Sequence, residues 1–170
     1  MTEINPLVHT ALSDDEILAR VPNSIFILYE DICHVPSLKA LLPTGKKLLI
    51  LYELAKTGHF CCLFENQEGL QFFDPLGGRP DSELKHVSPQ YISKNQDYPY
   101  LLNLLKQSQR PIIYNQHHLQ KHHTSTCGHW CTIRMLASHL TCDQFAECFE
   151  GVQDKDLIVA SLYYGGFTPR

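Results

Sequence analysis

Cys127 is the residue whose position in this sequence best suits nucleophilic chemistry. It opens the strongest predicted helix, over 127–140, directly after a polar loop. A thiol at a helix N-terminus lies near the positive end of the helix dipole and near N–H groups without intrahelical partners, and both favour the reactive thiolate. Gly128 lets another segment approach the backbone closely. We therefore take Cys127 as the candidate nucleophile, the alternative being one more buried thiol.

A base for that thiol is expected at His59, which begins a predicted strand over 59–64. Asp74 ends the next predicted strand, over 70–74. If the two strands pair as a hairpin about a turn at 66–69, their open ends lie one strand spacing apart, about 5 Å. A carboxylate there can hold an imidazole in the tautomer that a Cys–His pair requires. The alternative is that the histidine and the aspartate are unrelated surface residues.

An oxyanion donor is expected at Gln120, in the polar loop seven residues before Cys127. Its side-chain amide, together with the backbone N–H of Cys127, could stabilise the negative charge that develops on a carbonyl oxygen under attack. The alternative is an ordinary solvated loop residue.

A metal site and a redox pair are further alternatives. Soft ligands are dense in one stretch, at His117, His118, His122, His123, Cys127, His129 and Cys131. The stretch has no Cys-x-x-Cys pair and no ordered ligand spacing, so we expect no metal and no cofactor. Cys131 lies one helical turn beyond Cys127, which allows a redox pairing, although a packing role is favoured. His129 is expected at the surface.

The elements that must position these residues segregate along the chain. Helices are predicted near both ends and strands in the middle, which indicates an α+β fold with a mostly antiparallel central sheet flanked by helices. Without a repeat, a low-complexity segment or a long linker, residues 1–170 are expected to form a single domain. The predicted helices are Ser13–Val21, Pro36–Leu42, Tyr98–Gln107, Cys127–Leu140, Thr141–Phe149 and Asp154–Tyr164, and the predicted strands are Ser24–Tyr29, Lys47–Leu54, His59–Phe64, Leu70–Asp74 and Pro111–Tyr114.

Composition and charge exclude several classes of protein. The chain has 170 residues, 44% of them hydrophobic and only 19% charged, which excludes a mainly disordered protein. A formal net charge of −4 argues against nucleic acid as the default partner, and the longest apolar runs are too short to cross a membrane. Seven cysteines, an odd number, and a polar N-terminal stretch indicate a reducing compartment and a protein that is not secreted. A monomer is expected.

The order of these motifs resembles the adenovirus-protease (adenain) and SUMO-protease clan of cysteine peptidases. The resemblance spans about residues 10–140. The segments that carry it are Gly58-His59-Phe60, Phe72-Phe73-Asp74-Pro75-Leu76-Gly77, and Gln120 with Cys127-Gly128-His129-Trp130-Cys131. Phe60 stands where the clan commonly has tryptophan, and Asp74 matches the SUMO-protease side, whereas adenovirus proteases carry glutamate there.

The resemblance implies a papain-like or adenain-like fold with the nucleophile at the N-terminus of a buried helix. It implies a thiol endopeptidase in which Cys127 attacks, His59 is the general base and Asp74 orients it. Gln120 would then contribute to the oxyanion hole. The substrate groove is expected to include Phe60, Gly128 and Trp130, the alternative for Trp130 being a place in the core.

The size of the chain makes it most similar to the capsid-maturation proteases of virophages, Polinton-type elements and large DNA viruses. Such a resemblance implies cleavage of viral structural precursor proteins, at Gly-Gly or Gly-X sites, in the virion or the host cytoplasm. The DNA requirement of adenovirus proteases is not carried over, because no basic stripe is present. The alternative function is an isopeptidase that removes ubiquitin-like proteins, in the manner of a deubiquitinase or a deSUMOylase.

Overall fold

A five-stranded sheet forms the centre of the computed structural model, which describes residues 5–54, 57–92 and 94–168. The strands lie side by side in chain order. They are β1 (Ser24–Leu28), β2 (Lys47–Glu53), β3 (Gly58–Asn66), β4 (Gly69–Phe73) and β5 (Ile112–Tyr114). The hairpin predicted about residues 66–69 is present, as β3 and β4.

The sheet is mixed, which corrects the prediction of a mostly antiparallel sheet. β2, β3 and β4 pair antiparallel, but β1 runs parallel to β2 and β5 runs parallel to β4. A parallel pair needs a crossover of a dozen or more residues, and the segments 29–46 and 74–111 supply one at each edge. Strand direction at the edges follows from where these connections pass, which hydrophobic periodicity does not encode.

Seven α-helices and three 3₁₀ turns surround the sheet in the described residues. The capping boxes predicted from Ser13 with Glu16 and from Thr141 with Gln144 are both present. The 3₁₀ turns are Pro6–Val8, Tyr29–His34 and Ser82–His86. The helices are α1 (Asp14–Arg20), α2 (Leu38–Leu41), α3 (Pro89–Ile92), α4 (Tyr100–Gln107), α5 (Cys127–Leu136), α6 (Cys142–Glu147) and α7 (Lys155–Tyr164).

Helix α5 begins at Cys127 as predicted but ends at Leu136, four residues early. The Arg134 guanidinium donates to the carbonyls of Ala137 and Leu140, at 3.0 and 3.1 Å. Lys47 Nζ donates to the carbonyl of Met135 at 2.6 Å. A helix continued to Leu140 would have bonded the Met135 carbonyl internally, but here Lys47 satisfies it. Arg134 satisfies carbonyls that follow the helix end, so the helix can stop at Leu136.

The side chains of β3 alternate between two apolar layers, as predicted from their period of two. Phe60, Cys62 and Phe64 pack in the layer that contains α5. Cys61 and Leu63 pack in the opposite layer. Nine of the ten α5 residues are buried, so this is a core helix rather than an amphipathic surface helix. Among the described residues, no helix combines the length and the apolar character needed to span a membrane.

Candidate active site

The β3–β4 hairpin brings His59 and Asp74 together. Cys62 pairs with Phe73 across the hairpin, and the same register places Asp74 beside the start of β3. His59 Nε2 lies 2.7 Å from Asp74 Oδ1, and both side chains are buried. The predicted strand pairing is therefore present, and it allows a direct imidazole–carboxylate hydrogen bond between the two strand ends.

The Asp74 carboxylate is held in place from several directions. Its Oδ1 also accepts the backbone N–H of Leu76, at 2.8 Å. The backbone carbonyl of Asp74 accepts hydrogen bonds from Asn115 Nδ2 at 2.8 Å and from the N–H of Gly77 at 2.9 Å. Asn115 is buried and follows β5, and sequence reasoning missed its role because an asparagine in a polar loop has no distinguishing pattern. These bonds fix the orientation of the carboxylate that faces His59.

Cys127 is the other partner of His59. It is the first residue of α5, is 9% exposed and lines the same cleft as His59. The interaction of the imidazole with the Cys127 sulfur is one of the causes that raise the His59 pKa, and the Cys61 sulfur acts on the same ring. Since Nε2 bonds to Asp74, Nδ1 is the ring nitrogen that remains for a thiol. The structure therefore brings the three predicted residues into one cluster.

Electrostatics favour a charged imidazole at this position. Burial alone lowers the pKa of His59, but its interactions with Cys61, Asp74 and Cys127 outweigh burial and raise that pKa well above its ordinary value. Burial and the nearby Asp74 carboxylate also raise the pKa of the neighbouring Cys61 thiol. The arrangement can hold an imidazolium beside a reactive sulfur, as a thiolate–imidazolium pair requires.

The start of α5 leaves backbone donors near the candidate nucleophile. Thr126 is the N-cap residue, yet its side chain makes no bond to the helix backbone. Its hydroxyl donates instead to Asp156 on α7. The first-turn N–H groups, beginning with that of Cys127, are consequently not capped by this side chain and can serve a developing oxyanion.

Gln120 lines the same cleft and is buried. Its Nε2 donates to the carbonyl of Thr124 at 3.1 Å, which uses one of the two amide hydrogens. Its Oε1 is buried and has no hydrogen-bond partner among the described residues. The side chain is thus held in the cleft wall with one N–H still free to donate.

The predicted groove residues divide into two groups. Phe60 lines the cleft, whose volume is about 1200 Å³, whereas Gly128 and Trp130 do not. A Cβ at Gly128 would lie 3.0 Å from Ile17 Cδ1 and 3.2 Å from Leu12 Cβ, so this glycine permits close packing of α5 against the N-terminal segment. Trp130 is fully buried in the core. Gly128 and Trp130 therefore pack within the protein and do not make the substrate contacts expected from the sequence.

The geometry gives little support to the alternative of a metal site. In the part of the chain that the structure describes, the group able to hold an ion is His59, Cys61 and Asp74, whose ligand atoms lie within 4.8 Å of one another. His59 and Asp74 already bond each other at 2.7 Å, which an ion between them would disrupt. This cluster therefore suits proton transfer better than metal binding.

His129 is fully buried, which corrects the expectation that it lies at the surface. Its ring packs edge-on against Tyr163, with 5.2 Å between the ring centroids. Burial lowers the pKa of His129 to about 4, so its imidazole is neutral at physiological pH. It therefore belongs to the core and not to the cleft.

Gly78 lies close to the Asp74 carboxylate, so a substitution at Gly78 tests how far the site depends on the position of that carboxylate. A Cβ at Gly78 would lie 2.6 Å from Asp74 Oδ2 and 2.3 Å from Ser82 Oγ. Gly78→Ala is therefore expected to displace the carboxylate and to lower by about 10²-fold any catalytic rate that depends on the His59–Asp74 pair, the scale of a 1 Å misplacement. Gly45→Ala serves as a control for backbone strain away from the site, because its Cβ meets no heavy atom within 4 Å but its φ of +79° is unfavourable for alanine. Equal kcat/KM values for the two variants would contradict this role of Gly78.

The fold and the site define an α+β protein with a buried His–Asp pair beside a cysteine in a cleft. No protein-family model matches the chain. It is 34% identical over 151 residues to "Uncharacterized protein V9" of the Sputnik virophage, a match that covers 85% of this chain and 86% of that protein. The chain belongs to the family of that virophage protein. The relative supports the prediction that this is a viral protein.

Proposed function

We propose that this protein is a cysteine endopeptidase with a Cys127–His59–Asp74 triad. The observation that carries the proposal is the 2.7 Å bond from His59 to Asp74 in the cleft that Cys127 also lines, at the start of a buried helix. A cysteine, a base and an orienting carboxylate in this order form the arrangement that nucleophilic acyl transfer requires.

In the proposed reaction, the Cys127 thiolate attacks the scissile carbonyl carbon. The carbonyl oxygen becomes an oxyanion, which the Cys127 N–H and the Gln120 amide stabilise. The His59 imidazolium donates its proton to the leaving amine, the C–N bond breaks, and an acyl-enzyme thioester remains. Neutral His59 then takes a proton from water, which attacks the thioester and releases the carboxylic acid and Cys127. Asp74 keeps the imidazole oriented throughout.

The proposed substrates are viral structural precursor proteins, cut at Gly-Gly or Gly-X sites in virions or in the host cytoplasm. The virophage relative supports the viral setting, and the resemblance to capsid-maturation proteases supplies the substrate class. The resemblance also implies the preference for glycine, since a residue without Cβ passes a constriction most easily. The chain is proposed to act as a monomer without a cofactor.

An isopeptidase that removes ubiquitin-like proteins is the second candidate, since the same triad and groove would accept a Gly-Gly tail. Vinyl sulfones built on ubiquitin-like proteins distinguish the two functions. Labelling of Cys127 by these probes, without cleavage of capsid precursors, would favour the isopeptidase.

The experiment that tests the endopeptidase is a peptide-library cleavage profile read by mass spectrometry. The native chain is expected to generate new termini, enriched after glycine, and the same preparation blocked with iodoacetamide should generate none. An absence of cleavage by the native chain, or cleavage that survives the alkylation of Cys127, would contradict the proposal.

Gln120→Ala is expected to lower kcat by about 10²-fold with a smaller change in KM, because an oxyanion donor acts mainly in the transition state. Steady-state kinetics on one cleaved peptide measure both constants. The matched control is Gln116→Ala, which removes an exposed glutamine from the same cleft. If Gln120→Ala changes kcat no more than Gln116→Ala does, Gln120 is not an oxyanion donor.

A further inference from the structure

Asp156 is a fully buried carboxylate on α7, outside the triad and the cleft lining. Both of its oxygens are used. Oδ1 accepts the Thr126 hydroxyl and the Trp130 indole N–H, the latter at 2.9 Å. Oδ2 accepts the backbone N–H of Lys121 at 3.0 Å. One charged group thus binds three donors that are distant from it in sequence.

Those three donors bracket the loop that ends at the nucleophile. Lys121 directly follows Gln120, Thr126 directly precedes Cys127, and Trp130 lies one turn further along α5. A single carboxylate therefore fixes both ends of the segment 121–126, and with them the separation between Gln120 and Cys127.

We propose that Asp156 is a positioning residue, which holds Gln120 and Cys127 in the relative placement needed to attack a carbonyl and stabilise its oxyanion. This inference rests on the proposed function. Charge-assisted hydrogen bonds are the strong ones, and a buried carboxylate can satisfy all three donors because it is acceptor-only. An asparagine cannot do the same, because one of its two terminal atoms is a donor.

The test compares Asp156→Asn with Tyr163→Phe. Tyr163 lies on the same helix, and its hydroxyl donates to the Glu16 carbonyl at 3.2 Å, so the control loses one α7 hydrogen bond outside the loop. The first readout is the rate of Cys127 alkylation by iodoacetamide relative to the exposed Cys148 in the same sample. The second is the separation of kcat from KM for a cleaved peptide, and the third is the melting temperature.

Asp156→Asn is expected to lower both the Cys127/Cys148 alkylation ratio and kcat by about 10-fold or more, the scale of a small misplacement, with KM little changed. The control should keep both values. The direction is informative, because loss of a negative charge would by itself tend to make a thiol more reactive, whereas misplacement makes it less reactive. Equal ratios in Asp156→Asn and Tyr163→Phe, or a faster reaction in Asp156→Asn, would overturn the proposal.

A second variant keeps the test decisive if Asp156→Asn fails to fold. Thr126→Val removes one donor and leaves the carboxylate bonded to Trp130 and Lys121, and it should also lower the alkylation ratio. An unchanged ratio in Thr126→Val would then overturn the proposal. The alkylation ratio needs no substrate. If Cys127 is reactive but no peptide is cleaved, the proposed function is wrong. The alkylation ratios of the variants then still show whether Asp156 positions Cys127.

Discussion

Cys127→Ala is expected to abolish peptide cleavage while the fold is retained. The variant removes the atom that would form the thioester, and knocking out a nucleophile of this kind lowers kcat by about 10⁴-fold or more. The structural cost is small, because the side chain loses one sulfur atom at the edge of the cleft and gains no polar group. Steady-state cleavage rates and thermal melting measure the two effects separately.

Cys131→Ala is the matched control for that substitution. Cys131 lies one turn further along α5, is fully buried, and its thiol donates to the Phe60 carbonyl at 3.4 Å. Its removal should lower the melting temperature more than Cys127→Ala does, yet leave cleavage in place. If Cys127→Ala still cleaves peptides, or if Cys131→Ala alone is inactive, the assignment of the nucleophile is wrong.

His59→Ala is expected to have nearly as large an effect, about 10⁴-fold on kcat/KM. It would remove the proposed proton donor for the leaving amine and an interaction partner of the Cys127 sulfur. Asp74→Asn should lower kcat/KM by less, because the imidazole remains and loses only its orienting carboxylate. Cleavage assays on the two variants test this order, and an Asp74→Asn variant less active than His59→Ala would contradict it.

The raised pKa of His59 also predicts how stability depends on pH. An unfolded histidine has a pKa of about 6.5, and the His59 pKa in the folded protein is higher. The charged His59–Asp74 pair therefore contributes stability that is fully present below pH ~6.5 and is lost as the pH rises through the folded pKa. The difference in unfolding free energy between the native chain and His59→Ala should shrink as the pH is raised, as chemical denaturation at several pH values can measure. A difference that grows with pH would contradict a raised pKa.

Local patterns were enough to predict the parts of the site that depend on nearby residues. The turn at 66–69 and the alternation along β3 predicted the hairpin that joins His59 to Asp74. The polar loop and the apolar helix after it predicted that α5 begins at Cys127. In each case, the interacting residues are at most about fifteen positions apart in the sequence, the range over which periodicity and turn residues determine local structure.

The remaining features depend on contacts between distant segments, which one sequence does not reveal. Asp156 lies 30 residues from Thr126 and reads as an ordinary acidic residue at the start of a helix. Asn115 lies 41 residues from Asp74 and reads as part of a polar loop. The sequence allows Trp130 either in the groove wall or in the core, and the choice depends on Asp156, which accepts its indole N–H in the core.

The most direct test of the central claim is the order in which iodoacetamide modifies the seven cysteines at near-neutral pH, followed by peptide mapping. Cys127 is only 9% exposed, whereas Cys148 is an exposed free thiol. Accessibility alone would place Cys148 first, but a thiolate held beside the His59 imidazolium places Cys127 first. We predict that Cys127 is modified before the other six. Modification of Cys148 first, or equal labelling of both thiols, would contradict an activated nucleophile at Cys127.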